Sequence, residues 1–287
     1  MRKNIKKLYF IFLLSFFLLC FSSFPFLEKD NTLRTNFELQ DISSVDMNKI
    51  YLLNDDDYLT EVDVFIGKSS LEDEVFKIFE FLKEGNREEE FFGYLPKDVQ
   101  ILNVEVLENT LYLVLSDEAK DISDSYLSGF VHSLLHLKDI HKVSIQIGEG
   151  DAKVFDKNYP INKVMNILDR NDILKVVVYY LDSHGSHYVP VTKYENGNED
   201  KIHVIIEELK ENIPSHLVSY LDVHTKLLDY REENNILFLN FTSDLVSDKG
   251  CEEEIVHSIC YSVFHNYDVG SVFIELEGKP YKLIGND

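Results

Sequence analysis

The stretch from Asp182 to His187 brings the side chains of a hydrolase triad into six consecutive positions. Aspartate, serine and histidine all occur there, in the order Asp-Ser-His-Gly-Ser-His. The members of a catalytic triad normally converge from separate rigid elements and need an oxyanion hole, which so short a stretch does not supply. Glycine with small polar residues is typical of a hairpin loop, so we interpret this segment as a loop.

A second set of residues has the spacing of metal ligands: His132, His136, Asp139 and His141. Two histidines four residues apart lie on one side of a helix, and here a carboxylate follows closely. A similar helix later in the chain has His257, but Tyr261 occupies the position four residues after it. A metal site common to both helices is therefore excluded. We favour partly buried histidines over a site in the first helix alone.

Other motifs of catalysis or ligand binding are incomplete. Gly148-Glu149-Gly150 lacks the third glycine and the following helix of a dinucleotide-binding loop. The sequence contains neither a Gly-x-Ser-x-Gly elbow nor a His-Glu-x-x-His zinc helix. The acidic residues from Asp244 to Glu254 lack the alternating spacing of a calcium loop and are better placed at the start of a helix. We therefore expect no catalytic, cofactor-binding or metal-binding residues, and no enzyme.

The elements that would position these side chains occur twice in the chain. The matches lie at similar offsets: Leu111-Tyr112-Leu113 returns as Leu237-Phe238-Leu239, Phe130 to Leu135 as Ile255 to Cys260, and Val143-Ser144-Ile145 as Val272-Phe273-Ile274. A period of this length is domain-sized, well beyond repeat units of about 20 to 50 residues. The sequence thus predicts two copies of one domain.

Hydrophobic periodicity predicts the same order of elements in both copies. In the first copy we expect a strand, a helix, a hairpin, a helix and a strand, at residues 62–66, 71–83, 99–115, 123–137 and 143–147. The second copy repeats this order at residues 174–180, 201–210, 225–241, 252–264 and 272–276. It differs by an inserted loop over 182–198 that contains a short strand at 188–191. The order β-α-β-β-α-β predicts α+β, two-layer domains with mixed sheets. We place the two domains at residues 58–150 and 173–287. A linker at 151–172, which contains a short helix over 161–168, joins them.

The N-terminal residues predict an export or membrane segment. Four basic residues precede residue 8, and the apolar run from Leu8 to Leu27 contains no acidic residue. About 20 apolar residues are enough to cross the hydrocarbon layer, with the basic end in the cytoplasm. Three fates fit residues 1–27: an uncleaved single-pass anchor, a signal cleaved after Ser22, or a lipoprotein signal with Cys20 as the lipidated residue. In each case we expect residues 28–57 to form an acidic tether and both domains to lie outside the cell membrane.

The charge of the chain excludes one class of partner. The formal net charge is −23 at pH 7, with 51 acidic and 28 basic residues. A surface of this sign repels the phosphate backbone of nucleic acids. We expect no nucleic-acid partner.

Several short segments taken in order resemble two tandem GerM domains. They are Val62-Asp63-Val64-Phe65 matched with Val176-Val177-Val178-Tyr179, Leu82-Lys83-Glu84-Gly85, Leu95-Pro96, Tyr112 to Ser116 matched with Phe238 to Thr242, and closing strands that end near Gly150 and Gly278. The resemblance covers most of residues 58–150 and 173–280. It implies a protein on the outer face of the cytoplasmic membrane of Gram-positive bacteria, associated with sporulation and germination. GerM domains are also similar to the ring-building modules of secretion and sporulation channels, which are assembly units and not catalysts.

The sequence and the resemblance together predict a non-enzymatic, membrane-anchored extracytoplasmic protein that makes protein contacts in the bacterial cell envelope. The expected partners are other envelope proteins, or further copies of the chain paired through edge strands. The alternative is a surface protein that binds a cell-wall glycan or a metal ion between the copies, or a hydrolase. A deep cleft between the domains, lined by acidic residues and His184 or His187, would favour the alternative.

Overall fold

The computed structural model describes residues 47–67, 69–86, 90–164, 173–197, 199–246 and 250–286. The first copy contains β1 (Met47–Leu53), β2 (Leu59–Phe65), α1 (Leu71–Glu84), β3 (Ile101–Leu107), β4 (Thr110–Leu115), α2 (Asp124–Leu135), β5 (Lys142–Ile147) and β6 (Lys153–Phe155). The second contains β7 (Ile173–Leu181), β8 (Tyr188–Asn196), α3 (Lys201–Glu211), β9 (Leu227–Glu233), β10 (Ile236–Phe241), α4 (Glu252–Asn266), β11 (Ser271–Leu276) and β12 (Lys279–Gly285).

The two copies have the same topology. The first two strands of each copy form an antiparallel hairpin, and the other four form a mixed sheet in the order β3-β4-β5-β6 or β9-β10-β11-β12. The two central strands of each four-stranded sheet are parallel, and their other neighbours are antiparallel. The prediction of two α+β domains with mixed sheets is confirmed. Each domain nevertheless has the order β-β-α-β-β-α-β-β, with more strands than predicted.

Helix α1 begins and ends as its sequence predicts. The hydroxyl oxygen of Ser70 accepts a hydrogen bond from the backbone N–H of Asp73, a capping contact that contributes about 1 kcal/mol. Gly85 ends the helix with a φ of 76°, a conformation that glycine adopts at little cost. The buried positions recur at helical spacing: Val75, Ile78, Phe79 and Leu82. The same spacing predicted this helix.

Each copy closes its own apolar core. In the first copy Leu111, Leu113 and Leu115 of β4 are buried in a cluster that includes the side chains of α1 and α2. The equivalent cluster in the second copy contains Leu237 and Leu239, together with buried side chains of α3 and α4. Since every second residue of β4 and β10 points into its own core, the hydrophobic alternation of these strands fixes which face of the sheet is buried.

Strand β1 corrects the prediction of a tether over residues 28–57 from residue 47 onward; residues 28–46 lie outside the described residues. Met47–Leu53 pairs with all of β2, and Ile50, Tyr51 and Leu52 are fully or almost fully buried. These residues form a continuous apolar run without alternation, because both faces of the strand are covered. The acidic residues after it form the hairpin turn, in which Asn54 Oδ1 accepts hydrogen bonds from two backbone N–H groups. The first domain therefore begins before residue 58.

Strand β8 corrects the prediction of an inserted loop over residues 182–198. The strand continues to Asn196, and with β7 it forms a hairpin equivalent to β1–β2. The equivalence is fixed by two matching hydrogen bonds. Tyr51 N–H donates to Ser133 Oγ at 2.8 Å, and Tyr179 N–H donates to Ser262 Oγ at 2.9 Å. The first strand of the second copy thus matches β1, whereas the sequence comparison had matched it with β2.

The same hydrogen bonds correct the alignment of the second helices. Ser133 Oγ donates to Gly129 O, and Ser262 Oγ donates to Ser258 O, so Ser262 is the equivalent of Ser133. The predicted equivalent was Ser258, one helical turn earlier. The error arose because Val-His-Ser occurs in both helices, but the connection that leads into α4 is longer than the one before α2.

Two further strands and part of the linker also differ from the prediction. Strand β6 lies in the segment predicted as linker, and β12 was not predicted. Residues 161–164 are not helical, and the remainder of the predicted linker helix lies outside the described residues. The predicted N-terminal segment, residues 1–27, also lies outside them. No helix among the described residues is both long and apolar enough to span a membrane.

Candidate functional site

A cluster of polar and aromatic side chains lies where the two domains meet. On the side of the first domain, Glu61 of β2 accepts a hydrogen bond from Tyr51 Oη at 3.1 Å and pairs with Lys49 Nζ at 2.7 Å. His136, directly after α2, places Nε2 3.8 Å from the same carboxylate. Burial alone would raise the pKa of Glu61, but His136 and Lys49 outweigh burial, and the pKa falls below its usual value. The carboxylate is therefore held in its charged form.

The second domain contributes an equivalent pair to the same cluster. Tyr179 Oη lies 3.4 Å from His265 Nδ1, as Tyr51 Oη lies 3.4 Å from His136 Nε2. Burial lowers the pKa of His265 to about 3, and the nearby His132 adds to this effect. Burial also raises the pKa of both tyrosines. At neutral pH the histidines and tyrosines are uncharged, and Lys49 and Glu61 carry opposite charges.

This cluster borders a cavity of about 430 Å³, which is within the usual range for small-molecule sites. Both domains line it, with side chains or backbone from Lys49, Glu61, His136, Tyr179, His257, Tyr261, Phe264, His265, Ile284, Gly285 and Asn286. Tyr261 makes three ring contacts: edge-on to Tyr188 at 4.9 Å, stacked with His257 at 5.7 Å and tilted against Tyr179 at 5.8 Å. The cavity therefore combines aromatic surface with hydrogen-bonding groups.

The predicted triad segment lines a second cavity between the domains. This cavity has a volume of about 260 Å³ and brings His184 and His187 near Asp55, Asp56 and Glu90 of the first domain. The convergence of acids and histidines is what the alternative hypothesis expected. The volume nevertheless lies below the usual range for small-molecule sites.

Hydrogen bonds give the triad segment a structural role. Asp182, which is buried, accepts from Ser186 N–H at 2.8 Å and lies 3.1 Å from His187 Nδ1. In the described part of the chain, neither Ser183 nor Ser186 donates a hydroxyl hydrogen bond to this imidazole. The ring of His187 instead packs edge-on against Phe91 at 4.8 Å. The segment is the hairpin loop between β7 and β8, as predicted, and it contacts the first domain.

The predicted metal ligands do not converge. The imidazole of His132 is buried with Nε2 2.7 Å from the carbonyl oxygen of Tyr159, whereas His136 faces Glu61. Asp139 lies in the turn after α2, where its carbonyl oxygen accepts a hydrogen bond from Asn109 Nδ2. Within the described ranges, no three histidine, cysteine, aspartate or glutamate side chains are placed to hold a metal ion. The acids Glu252, Glu253 and Glu254 lie in the first turn of α4, where the sequence predicted them.

The family described as Germane, sporulation and spore germination, matches residues 49–152 and 177–282. The two matches cover more than half of the chain. The chain belongs to the Germane family. The resemblance to tandem GerM domains is thereby confirmed. The first matched region extends from within β1 through β5 and ends before β6, and the second extends from within β7 into β12.

One solved structure agrees with this assignment at the level of fold. The tandem GerMN domains of the sporulation protein GerM from Bacillus subtilis align with a TM-score of 0.72 and 22% identity, over 84% of this chain and 96% of that one. The first GerMN domain of the same protein aligns with a TM-score of 0.32 and 21% identity, over 37% and 84%. A putative lipoprotein from Clostridium perfringens aligns with a TM-score of 0.27 and 15% identity, over 43% and 93%. No curated protein matches the chain.

The two Germane domains differ in the strand at the edge of the four-stranded sheet. Strand β3 has the sequence Ile-Leu-Asn-Val-Glu-Val-Leu, in which Leu102, Val106 and Leu107 are exposed. Its equivalent β9 carries four charged residues in Leu-Leu-Asp-Tyr-Arg-Glu-Glu. Among the described strands each of the two is paired on one side only. The edge of the first Germane domain is thus mainly apolar, whereas on the edge of the second the four charged residues accompany the exposed Leu228 and Tyr230.

Sequence reasoning missed the side chains at the junction of the Germane domains. Tyr51 fell in the predicted tether, and Tyr179 was placed in a strand without a role. The available signal was the repetition of a tyrosine in the first strand and a histidine at the end of the second helix, as Tyr51 with His136 and Tyr179 with His265. This repetition of tyrosine and histidine can be recognised only when α2 and α4 are aligned through Ser133 and Ser262.

Proposed function

We propose that this Germane-family chain is a non-enzymatic protein of the bacterial cell envelope, anchored in the membrane through residues 1–27, that acts through protein contacts in sporulation or germination. The family match over both domains supports the process. The apolar run from Leu8 to Leu27 supports the anchor. If the anchor exists, the chain stays in the membrane pellet after a high-salt wash and leaves it when residues 1–27 are deleted; a wild-type chain in the soluble fraction would contradict the anchor.

The observation that carries the protein-contact function is the apolar edge strand β3. An edge strand leaves a row of backbone N–H and C=O groups available to a strand of another chain. Natural proteins commonly protect such edges with charged side chains, as β9 does with Asp229, Arg231, Glu232 and Glu233. Strand β3 has a single charge, Glu105, and its exposed apolar side chains would give specificity to an added strand. We infer that the partner pairs with β3.

The geometry of the described residues favours contact over catalysis. The Asp182–His187 pair has no serine hydroxyl beside the imidazole in the described part of the chain, and both groups hold the β7–β8 loop in place. A general base without a positioned nucleophile lacks the arrangement that acyl transfer requires.

A charge placed on the edge tests this function. Val106 is replaced by lysine in the native host, and the matched control is Glu232→Lys at the equivalent position of β9. We expect Val106→Lys to lower the yield of heat-resistant spores, or the fraction that germinates, while immunoblots show normal levels of the protein. The control should keep the wild-type yield. Wild-type yield and germination in the Val106→Lys strain would refute the contact at β3.

A further inference from the structure

The 430 Å³ cavity between the domains has the composition of a site for a small polar molecule with one apolar face. Its wall contains aromatic rings from α4 and hydrogen-bonding groups from β1, β2 and β7. Both domains are needed to form it, since Lys49, Glu61 and His136 come from the first and the remaining lining residues from the second. We propose that this cavity binds a neutral pyranose ring, packed against Tyr261 and hydrogen-bonded to Lys49 and Glu61.

The charges around the cavity favour a neutral ligand. The Lys49 ammonium lies 2.7 Å from the Glu61 carboxylate, so the two charges compensate each other. His136 and His265 are uncharged at neutral pH because burial lowers the pKa of both imidazoles. The chain as a whole carries a formal charge of −23, which repels anions before they reach the cavity. An anionic ligand would therefore be opposed by the protein field without finding an unpaired cation.

The aromatic side chains favour a ligand with an apolar face. Tyr261 and Phe264 lie one turn apart on α4 and both line the cavity. The contacts with Tyr188 and His257 fix the orientation of the Tyr261 ring before any ligand binds, so little side-chain freedom is lost on binding. A pyranose presents C–H groups on one face of its ring, and these pack on an aromatic surface as other apolar groups do.

The polar groups match the hydroxyls of a sugar. Lys49 donates hydrogen bonds, the charged Glu61 accepts them, and the hydroxyl of Tyr179 and the amide of Asn286 do both. The Lys49 Nζ atom lies over the face of the Tyr261 ring, 5.9 Å from its centroid, so the donor and the aromatic surface border the same part of the cavity. A ring whose hydroxyls each donate and accept can satisfy this mixed set of donors and acceptors. A purely apolar ligand would displace water from Lys49 and Glu61 without replacing its hydrogen bonds.

Binding of simple oligosaccharides tests the inference. The full chain is purified in a detergent without a sugar headgroup, because a maltoside would compete. The probes are chitotriose with N-acetyl groups and maltotriose, both neutral, with citrate as an anionic comparison. Saturation-transfer NMR detects contact, and titration calorimetry measures affinity. We expect at least one sugar to bind and citrate not to bind. Failure of both sugars at millimolar concentration, or binding of citrate in preference to them, would overturn the proposal.

Variants locate the site within the chain. Tyr261→Ala should weaken sugar binding by about tenfold or more, since it removes the aromatic wall. Glu61→Gln keeps the shape of the side chain and should also weaken binding. The control is Tyr112→Ala, an exposed tyrosine on the sheet of the first domain. Circular dichroism and thermal unfolding confirm that each variant is folded. Equal affinity in wild type and in a folded Tyr261→Ala variant would place any sugar elsewhere. The result is independent of the proposed contact at β3, which Val106→Lys tests separately.

Discussion

The side-chain amide of Asn162 satisfies both backbone groups of Leu59. Asn162 Oδ1 accepts from Leu59 N–H at 2.9 Å, and Nδ2 donates to Leu59 O at 2.7 Å. The same Nδ2 donates to Pro190 O at 2.8 Å. Leu59 begins β2 in the first domain, and Pro190 lies in β8 of the second. One residue of the connecting segment therefore hydrogen-bonds to both hairpins, β1–β2 of the first domain and β7–β8 of the second.

Replacement of Asn162 by alanine should destabilise the protein by about 2–4 kcal/mol, because the backbone groups of Leu59 would remain buried without partners. Asn162 has a φ of 44°, so alanine adds strain that glycine does not. Asn162→Gly should therefore be destabilised less than Asn162→Ala, but still clearly. Urea unfolding measures both against the exposed control Asn158→Ala. Equal stability of Asn162→Gly and the control would show that these hydrogen bonds contribute nothing.

The serines that position Tyr51 and Tyr179 should contribute similarly to the free energy of unfolding, since their hydrogen bonds have the same geometry. Ser133 and Ser262 are both fully buried, and each links its helix to the first strand of its domain. Ser133→Ala and Ser262→Ala should each cost about 1–3 kcal/mol, because each leaves a buried tyrosine N–H without an acceptor. Ser125→Ala, on the exposed face of α2, is the control and should cost less than about 0.5 kcal/mol. A neutral effect at either buried position would contradict the assigned equivalence.

Stability should fall as the pH is lowered from about 7 to 5. Burial lowers the pKa of His132 to about 4, whereas the unfolded chain takes up the proton near the ordinary value of 6.5. Between these values the unfolded state binds more protons, so stability is present above pH 6.5 and is lost progressively toward pH 4. The expected loss from His132 at pH 5 is about 2 kcal/mol. His265 acts in the same direction, because burial lowers its pKa as well, to about 3.

The pH effect is measured by urea unfolding in buffers between about pH 5 and 7. His132→Gln should flatten the dependence, while His141→Gln, in an exposed turn, should leave it unchanged. The lowered pKa of Glu61 acts in a separate window, since its contribution is lost only below the ordinary carboxylate value of 4.5. A wild-type stability that is constant from pH 7 to 5 would mean that His132 is not buried in its neutral form.

Loss of one member of a buried ion pair in the second domain should destabilise the protein more than loss of both. Lys193 Nζ lies 2.7 Å from Glu208 Oε2, and each side chain is only 4% exposed. Lys193→Met should destabilise by about 3–5 kcal/mol, because it leaves the Glu208 carboxylate buried without its counter-charge. The double variant Lys193→Met/Glu208→Leu should recover most of this loss, since no charge then remains buried. Thermal and urea unfolding of Lys193→Met, Glu208→Leu and the double variant give the coupling; a double variant no more stable than Lys193→Met would contradict the account.

The sequence predicted the elements whose pattern is local. Helix α1 followed from Ser70, Gly85 and four apolar residues at helical spacing, and β4 and β10 followed from alternating leucines. Strand β1 could not be recognised in the same way. Ile50, Tyr51 and Leu52 are covered on both faces, so they show no alternation, and the acids of the following turn look like part of a solvated segment. The site where the two domains meet depends on β1 and on the correct alignment of α2 with α4, so the sequence did not predict it either.

Site-specific photo-crosslinking tests the central functional claim most directly. A photoreactive residue is placed at Val106 of β3, and in a matched strain at Glu232 of β9, in the full chain of the native host. We predict a discrete higher-mass adduct from Val106 whose mass spectrum contains an envelope protein or a second copy of this chain, and little or no adduct from Glu232. The Val106 adduct should disappear when Leu102 is also replaced by lysine. No adduct from Val106, or equal adducts from both positions, would contradict a partner that pairs with the edge of the first Germane domain.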